Sequence, residues 1–563
     1  MQKLIAAAMS CMLVATTLPT PVFAQDPWGG MPTATPIKHL VVIFQENVSF
    51  DHYFGTYPYA ANPPGEPAFH ALPGTPIPNG LNSALMTENP NFLNPANNNN
   101  MASGGVSMAA NPFRLDRSQA ATSDQDHDYT PEQMAFDGGL MDLFPLSVGD
   151  QGPPPSAPPA AATTTAITMG YFDGNTVTGL WNYAQNFAMS DNMYGSTFGP
   201  STPGALEVIS GQTNGVGSST VKVNNTTIVE GGGGSETLIS DADPAGDVCS
   251  SKSKNVYMNG TNIGDLLNMA GISWGFFQGG FDLTITNPNG TMGCSRSTKS
   301  AVTGVTESDY IQHHEPFQYY TSTQNLAHTR PTSVAAIGQA NDQVAHNQYD
   351  IHDFFDAVKA GNFPAVAYLK APGYEDGHAG YSDPIDEQNF IVNTINFLEQ
   401  RPEWSSTAVI ITYDDSDGWY DHQMSPIVNQ SQTPADVLDN GPNGGNCGTA
   451  TPVLSGIDPS TTPNAQGRCG YGPRLVFMVI SPWAKSNYIS HVILDQSSVV
   501  RFIEDNWLGG QRLGGGSFDA MAGSITDMFN FNQPEPRQDK LFLSPSTGEA
   551  VNQPGPWPQH FPF

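Results

Sequence analysis

Apolar runs of strand length recur along the chain and predict the strands of a central sheet. They lie at residues 40–44, 364–369, 408–412 and 475–480, with a further strand-like segment at 272–277. Because the runs do not alternate with polar residues, we expect the strands to be buried on both faces, as in a parallel sheet covered by helices.

Segments with apolar residues at helical spacing accompany these strands. Helices are predicted at 178–187, 262–270, 351–360, 387–400 and 497–507, and the second, third and fourth of them directly precede a predicted strand. Repetition of helix and strand with short connections predicts an α/β fold, with a mostly parallel central sheet and helices on both faces.

Four segments are predicted to be loop insertions. They are Asn-rich at 90–111, rich in Pro, Ala and Thr at 153–165, Gly-rich at the end of 213–235, and rich in turn formers at 427–470. Such compositions favour loops over core elements. We therefore predict one domain over residues 25–563, with its core at about 37–507.

The first 24 residues have the pattern of a secretory signal peptide. Lys3 precedes an apolar stretch at 4–18, and small residues lead to a cleavage site after Ala24. No later apolar run has the ~20 residues that span a bilayer. The sequence thus predicts an exported protein, periplasmic or secreted, without stable membrane insertion.

Cysteine usage agrees with export. The chain has 5 cysteines, of which Cys11 lies in the predicted signal peptide, leaving Cys249, Cys294, Cys447 and Cys469. An even number in an exported chain favours two disulfides. Three pairings are possible, and we predict the one between nearest neighbours, Cys249–Cys294 and Cys447–Cys469.

The charge balance restricts the partners of the protein. The 563 residues include 20 Lys and Arg against 52 Asp and Glu, a net charge of -32. This charge repels nucleic acid, so no nucleic-acid partner is expected, and any small anionic substrate requires a locally positive site. The composition leaves the oligomeric state open.

Acidic residues follow two of the predicted strands. Glu46 and Asn47 come after the strand at 40–44, and Asp414 and Asp415 come after the strand at 408–412. Ligands of open parallel sheets bind beyond the carboxyl ends of the strands. The four oxygen-bearing side chains therefore predict a site for one divalent cation, a hard ion such as Ca²⁺, Mg²⁺ or Mn²⁺, with zinc as an alternative.

Histidines and one hydroxyl segment supply the remaining candidate chemistry. His127, His313, His314 and His378 lie in polar, loop-like segments and could neutralise a phosphate. Ser201 and Thr202 lie between prolines and glycines in residues 199–204, which predicts a stiff turn that aims a nucleophile. Chemistry alone does not separate the two hydroxyls.

These residues lie in motifs that resemble one bacterial phosphoesterase family, which unites phosphatidylcholine-preferring phospholipases C with respiratory-burst-inhibiting acid phosphatases. The motif at 46–55 is Glu-Asn-Val-Ser-Phe-Asp-His-Tyr-Phe-Gly, and the others lie in the same order at 126–127, 190–203, 313–317, 377–383, 413–422 and 472–477. The resemblance covers residues 37 to about 507.

The resemblance implies an alkaline-phosphatase-like fold and a role for each candidate. It places the metal ligands on Glu46, Asn47, Asp414 and Asp415, the nucleophile on Ser201, and phosphate-contacting histidines on His127, His313, His314 and His378. The phospholipases usually have Gly-Pro-Thr-x-Pro-Asn-Arg where residues 199–205 are Gly-Pro-Ser-Thr-Pro-Gly-Ala. In having Ser in place of Thr and Gly-Ala in place of Asn-Arg, the chain resembles the acid phosphatase branch of the family.

The predicted function is therefore an exported, metal-dependent acid phosphatase that hydrolyses small phosphate monoesters through a phosphoserine at Ser201. His378 or His127 is predicted to protonate the leaving group, and an acidic optimum is expected because the histidines must be charged. One alternative is a phospholipase C acting on phosphatidylcholine-like lipids. Another is a non-catalytic exported protein that binds a metal or phosphate.

Overall fold

Among the residues that the structure describes, nine strands form the central sheet of the protein, which we describe from a computed structural model. The structure describes residues 33–99, 108–149, 165–231, 235–340, 342–439, 441–449, 453–457 and 467–555. The predicted signal peptide and most of the predicted insertion at 153–165 lie outside these ranges. Residues from Thr33 onward form one compact unit.

Five of the nine strands of the central sheet lie at the segments predicted from the sequence. In chain order they are β1 His39–Gln45, β2 Ala188–Tyr194, β3 Trp274–Gln278, β4 Gln348–Asp350, β5 Val366–Lys370, β6 Thr407–Tyr413, β7 Arg474–Ile480, β8 Tyr488–Ser490 and β9 Leu494–Asp495. Their order across the sheet is β4-β3-β5-β1-β6-β7-β2-β8, and β9 also pairs with β2.

The sheet is mostly parallel, as predicted, and one strand is reversed. β7 runs antiparallel to both β6 and β2, whereas the other neighbouring pairs are parallel. β6 and β7 are buried along their whole length. An apolar run indicates burial on both faces but carries no information about strand direction. The α/β prediction is confirmed.

Helices of eight residues or more, among those described, surround this sheet. They are α1 Tyr129–Phe136, α2 Thr178–Asn186, α3 Ser201–Ser210, α4 Ile263–Ala270, α5 Ile351–Lys359, α6 Pro384–Glu399 and α7 Ser497–Trp507. Helix α3 packs against α4 and α7, while α6 packs against α2. Several of these helices have an N-cap residue whose side chain accepts a hydrogen bond from a backbone amide of the first turn. These residues are Asn262 for α4, Asp350 for α5 and Asp383 for α6.

Three elements near the candidate residues were not predicted as elements from the sequence. β2 carries polar residues at its centre, and α1 is short and only weakly amphipathic. The stiff turn predicted around Ser201 is instead the start of α3, with Pro200 as the N-cap residue. Pro203 does not break this helix because amide groups in the first turn have no helical acceptor.

The described parts of the predicted insertions contain short elements. Residues 213–235 contribute the strands Val216–Gly217 and Ile228–Glu230, and Pro90–Leu93 and Pro95–Asn99 are short helices. Both predicted disulfides are present, Cys249–Cys294 and Cys447–Cys469. Within the described residues, no helix combines the length and apolar character needed to cross a bilayer.

Candidate active site

The two predicted acidic segments meet at one edge of the central sheet. β1 and β6 are parallel neighbours, and Gln45 pairs with Tyr413 at their carboxyl ends. The next residues along each strand therefore lie side by side. The Asn47 amide donates a hydrogen bond to Asp414 Oδ1 over 2.9 Å, and the Asp415 amide donates to the same oxygen over 2.8 Å.

Backbone conformation fixes the direction of the Asn47 side chain. Asn47 has a left-handed φ of 64°, which Asn adopts more readily than most residues. Its side-chain amide donates to Asp417 Oδ1 over 2.9 Å, and Asp417 also has a positive φ, 54°. The amide nitrogen of Asn47 is thus occupied, which leaves the carbonyl oxygen Oδ1 as its available group.

The donor set at this edge fits a divalent cation. Asn47 Oδ1 and Asp414 Oδ2 are buried and accept no hydrogen bond from the described residues. Buried polar atoms without partners are unusual and require an explanation. Burial and the neighbouring Asp414 raise the pKa of Glu46 and of Asp415 well above the usual range. A hard cation bound to these oxygens would stabilise their ionised forms.

The Ser201 hydroxyl lies between two of these carboxylates. Its Oγ is 2.9 Å from Glu46 Oε2 and 3.2 Å from Asp415 Oδ2, and the side chain is 2% exposed. Because Ser201 is the first residue of the ten-residue helix α3, the helix dipole favours negative charge at this position. These contacts give Ser201 the surroundings expected of an activated hydroxyl.

Thr202 has a different set of partners. Its hydroxyl and its amide both donate to Asp241 Oδ1, each over 2.9 Å. The structure therefore distinguishes two hydroxyls that sequence chemistry left equivalent. Ser201 contacts the acidic centre, whereas Thr202 holds the start of α3 against the Asp241 segment.

His313 and His314 are adjacent but differently placed. His314 is buried, with Nδ1 3.2 Å from Glu46 Oε1, and burial followed by the charge of Lys370 lowers its pKa well below the usual value. His313 is partly exposed, with Nδ1 3.7 Å from Asp243 Oδ1. Its pKa is raised, because attraction to Asp241 and Asp243 outweighs the opposing effect of burial.

His127 and His378 are neighbours in the site, with ring centroids 6.0 Å apart. His127 Nδ1 lies 2.7 Å from Gln125 O, and His378 Nδ1 lies 2.5 Å from Ala379 O. A carbonyl accepts only from a protonated nitrogen, so each Nδ1 carries a hydrogen. Nε2 of His378 is then the atom available to a ligand, whereas Nε2 of His127 lies 3.5 Å from the side-chain amide nitrogen of Asn47.

The charges of these two imidazoles differ. Asp415 and Asp417 raise the pKa of His127 well above the usual value despite its burial. Burial lowers the pKa of His378. Burial and neighbouring charges therefore distinguish the four histidines, because they raise the pKa of His127 and His313 and lower that of His314 and His378. The acidic optimum expected from the sequence stays a prediction.

A second group of ligand atoms involves the same two histidines. Atoms of Asp124, His127, His378 and Asp417 all lie within 4.8 Å of one another, which would allow them to hold a metal ion. Among the described residues, Asp417 Oδ2 is buried without a hydrogen-bond partner. Mixed imidazole and carboxylate ligands suit zinc, the alternative metal of the sequence analysis.

The sequence profile of the Phosphoesterase family matches residues 37–508. The chain belongs to this family. The match covers the segments that contain Glu46, Ser201 and Asp415. The family membership predicted from the sequence motifs is thereby confirmed.

Phospholipases C are among the relatives of the chain. It is 24% identical to "Non-hemolytic phospholipase C" of Burkholderia pseudomallei over 89% of this chain and 60% of the relative. It is 24% identical to the Pseudomonas aeruginosa protein of the same name, over 88% and 58%. "Phospholipase C A" of Mycobacterium tuberculosis is 22% identical, over 89% and 78%.

The chain spans about 60% of the length of the first two of these relatives. A solved structure of a protein in the alkaline phosphatase superfamily from Vibrio parahaemolyticus is 13% identical, with a TM-score of 0.25 over 59% of this chain and 60% of that chain. At that TM-score the match carries no argument about the fold. The acid phosphatase branch stays a prediction.

The sequence analysis did not single out several charged residues of the site, among them Lys370 and Asp376. Lys370 is the last residue of β5, and its ammonium group contacts Glu46 Oε1 in a fully buried position. Asp376 Oδ2 lies 3.8 Å from Nδ1 of His314, the same nitrogen that Glu46 Oε1 approaches. A signal was available for Lys370, because a lysine directly follows the apolar run at 364–369.

Proposed function

We propose that the protein is a metal-dependent phosphomonoesterase that forms a phosphoserine intermediate at Ser201. The observation that carries this proposal is the position of the Ser201 hydroxyl, at the start of α3 and within hydrogen-bond distance of Glu46 and Asp415. Membership of the Phosphoesterase family supports hydrolysis of a phosphoester bond.

In the first step, Ser201 Oγ attacks phosphorus and the bond from phosphorus to the ester oxygen breaks. The hydroxyl proton passes to the carboxylate that accepts its hydrogen bond, Glu46 or Asp415. The N-terminus of α3 favours the negative charge that develops on the phosphoryl oxygens. A divalent cation held by Glu46, Asn47, Asp414 and Asp415 would lower the pKa of the attacking hydroxyl and neutralise phosphoryl charge.

The histidines act on the phosphoryl and leaving oxygens. His127 and His313, whose pKa values are raised, supply positive charge to the phosphoryl oxygens. His378 or His127 donates a proton from Nε2 to the leaving oxygen. Water then attacks the phosphoserine, which releases inorganic phosphate and restores the Ser201 hydroxyl.

The packing around α3 differs from what the phospholipase pattern requires. A Cβ atom at Gly204 would lie 2.1 Å from Asp414 O, so a larger residue does not fit there without displacing the backbone. Ala205 is also buried. The Asn-Arg pair of the phospholipase pattern is thus replaced by two residues without polar side chains, which removes polar contacts near the nucleophile.

The proposal includes export to the periplasm or the medium. Two disulfides fit an oxidising compartment, because the cytosol keeps most thiols reduced. Three of the relatives are phospholipases C of bacteria.

Ser201→Ala is expected to lower kcat for p-nitrophenyl phosphate by about a thousandfold or more, because it removes the nucleophile. Thr202→Val is the matched control, since it removes the neighbouring hydroxyl, and should cost less than about tenfold. Acid quenching followed by mass spectrometry should find phosphate on the peptide that contains Ser201. Retention of more than a few per cent of turnover by Ser201→Ala, with metal present, would exclude the covalent mechanism.

The phospholipase C alternative is favoured by the relatives, which carry that name. Comparison of p-nitrophenyl phosphate with p-nitrophenyl phosphorylcholine separates the two activities. We expect the higher kcat/KM on the monoester, and the reverse preference would favour a phosphodiesterase. Chelator-sensitive turnover of either ester would eliminate a non-catalytic binding protein.

A further inference from the structure

The acidic centre contains a cation that belongs to the protein itself. Lys370 is fully buried, and its ammonium group contacts Glu46 Oε1. The ammonium also lies 4.7 Å from the centroid of the Phe44 ring. A buried lysine is costly unless its charge is compensated, and this one interacts electrostatically with Glu46, Asp414 and Asp376.

The groups around this ammonium are those that bind metals. Glu46 Oε1 lies 3.2 Å from His314 Nδ1, and Asp376 Oδ2 lies 3.8 Å from the same nitrogen. Two carboxylates and one imidazole form a ligand set suited to Mn²⁺ or Zn²⁺. Phosphatase centres often contain two cations. Here the ammonium group of Lys370 contacts Glu46 and interacts electrostatically with Asp376 and His314.

The backbone fixes the lysine in this place. Lys370 ends β5, which pairs with β1 on one side and with β3 on the other. Gln278 of β3 is its direct partner, while Ile43 of β1 pairs with Leu369. The side chain therefore leaves the sheet one position beyond the last pair with β1, next to the segment that contains Glu46.

We propose that Lys370 takes the place of a second metal ion, so that the centre around Glu46 binds one divalent cation and not two. This inference rests on the proposed cation site at Glu46, Asn47, Asp414 and Asp415. Glu46, Asp376, Asp414 and Asp415 carry four negative charges when ionised. One divalent cation and Lys370 together balance three of them, whereas removal of the lysine leaves room and charge for a second divalent cation.

The test counts bound metal and does not depend on activity. Chelator-treated protein is titrated with Mn²⁺, separated from free ions by gel filtration, and analysed for metal. Lys370→Met is expected to bind one equivalent of Mn²⁺ more than the wild type. Lys370→Arg, which keeps the charge, and Lys222→Met, which removes an exposed lysine, are expected to bind the same number as the wild type.

Crystals grown with Mn²⁺ locate the additional ion by anomalous scattering. In Lys370→Met the new peak should lie among Glu46, Asp376 and His314. An unchanged number of equivalents in Lys370→Met would overturn the inference. If that variant does not fold, Lys370→Gln replaces it, and a peak among the same three residues in wild-type crystals would also overturn the inference.

The same titration separates this inference from the proposed function. A wild-type protein that binds no Mn²⁺, Ca²⁺, Mg²⁺ or Zn²⁺ would contradict the metal dependence of the phosphatase. When the wild type binds its cation, the inference about Lys370 is decided by the difference in bound Mn²⁺ between Lys370→Met and the wild type.

Discussion

At the scale of single residues, surroundings decide which histidine can act as an acid. His378 donates Nδ1–H to the backbone of Ala379 and stacks on Tyr381, with ring centroids 4.4 Å apart. Burial lowers its pKa, so at neutral pH the imidazole is mostly uncharged. His127 has a raised pKa and keeps its charge. His378 is therefore the residue whose protonation follows pH in the acidic range.

If His378 protonates the leaving group, kcat should rise as pH falls through an apparent pKa below the usual 6.5 of histidine. His378→Asn should lower kcat by about a hundredfold and abolish this part of the profile, because Asn cannot donate an acidic proton. Measuring kcat on p-nitrophenyl phosphate from about pH 4 to about pH 8, in steps of about half a pH unit, tests this expected profile.

His70→Asn provides the control for that profile, since His70 is exposed. It should leave both kcat and its pH dependence unchanged. A profile of His378→Asn parallel to that of the wild type would assign the acid to another residue, with His127 the next to be replaced.

At the scale of elements, one buried carboxylate joins three parts of the site. Glu132 of α1 accepts a hydrogen bond from the Gly199 amide over 2.9 Å and from the Ser416 hydroxyl over 2.7 Å. Gly199 begins the segment that leads to α3, and Ser416 follows the acidic pair after β6. Helix α1 therefore positions the nucleophile relative to the carboxylates without contacting the Ser201 hydroxyl.

Glu132→Ala should lower kcat by about ten- to a hundredfold, because small displacements of reacting groups reduce the rate steeply. It should also lower the free energy of unfolding by about 1–3 kcal/mol for each buried donor that loses its acceptor. Glu132→Gln keeps an acceptor for the Gly199 amide, so it should retain most of the wild-type kcat and most of the wild-type stability. Steady-state kinetics and urea unfolding provide the two measurements.

The matched control is Glu88→Ala, which removes an exposed carboxylate at the end of a short helix. Equal losses of activity in Glu132→Ala and Glu132→Gln would contradict a positioning role and would point to the charge of Glu132 itself.

At the scale of the whole molecule, buried carboxyl groups link stability to pH. Burial raises the pKa of Glu207 and of Glu375 to about 8, and that of Glu399 to about 7. The usual value is 4.5. Above about pH 4.5 the folded protein keeps these protons while the unfolded chain loses them, so the stabilisation is complete below 4.5 and is lost as pH rises toward 8.

We therefore expect the free energy of unfolding to be higher at pH 5 than at pH 8. Glu207→Gln should flatten this dependence, by on the order of 1.4 kcal/mol for each unit of the pKa difference. Urea unfolding at both pH values gives the measurement. Glu230→Gln, at an exposed position, should leave the slope unchanged, and a slope of the opposite sign in the wild type would contradict the expectation.

Net charge also acts at this scale. A net charge of -32 opposes the approach of any phosphoester. Lys370, His127 and His313 supply positive charge at the end of the sheet where Ser201 lies, and this charge offsets part of the charge of the carboxylates there. The acidic composition thus favours small phosphoesters over polyanions as substrates.

The sequence by itself determined the α/β class, most of the central strands and the residues that meet at the end of the sheet. It could do so because an apolar run in the chain becomes a buried strand, and because the residues that follow parallel strands share one edge. The motifs that resemble a phosphoesterase family added the choice of Ser201 over Thr202. The nearest-neighbour pairing of the four cysteines also agrees with the structure.

The tertiary structure alone decided the contacts and charges within the site. The reversed direction of β7 and the helix that begins at Ser201 leave no local pattern in the sequence. The lysine after the apolar run at 364–369 is visible in the sequence, but its contact with Glu46 is not. Charge states depend on burial and on neighbours that are distant in the chain, as Lys370 is from His314. Sequence patterns report local periodicity, whereas these properties arise from groups that only folding brings together.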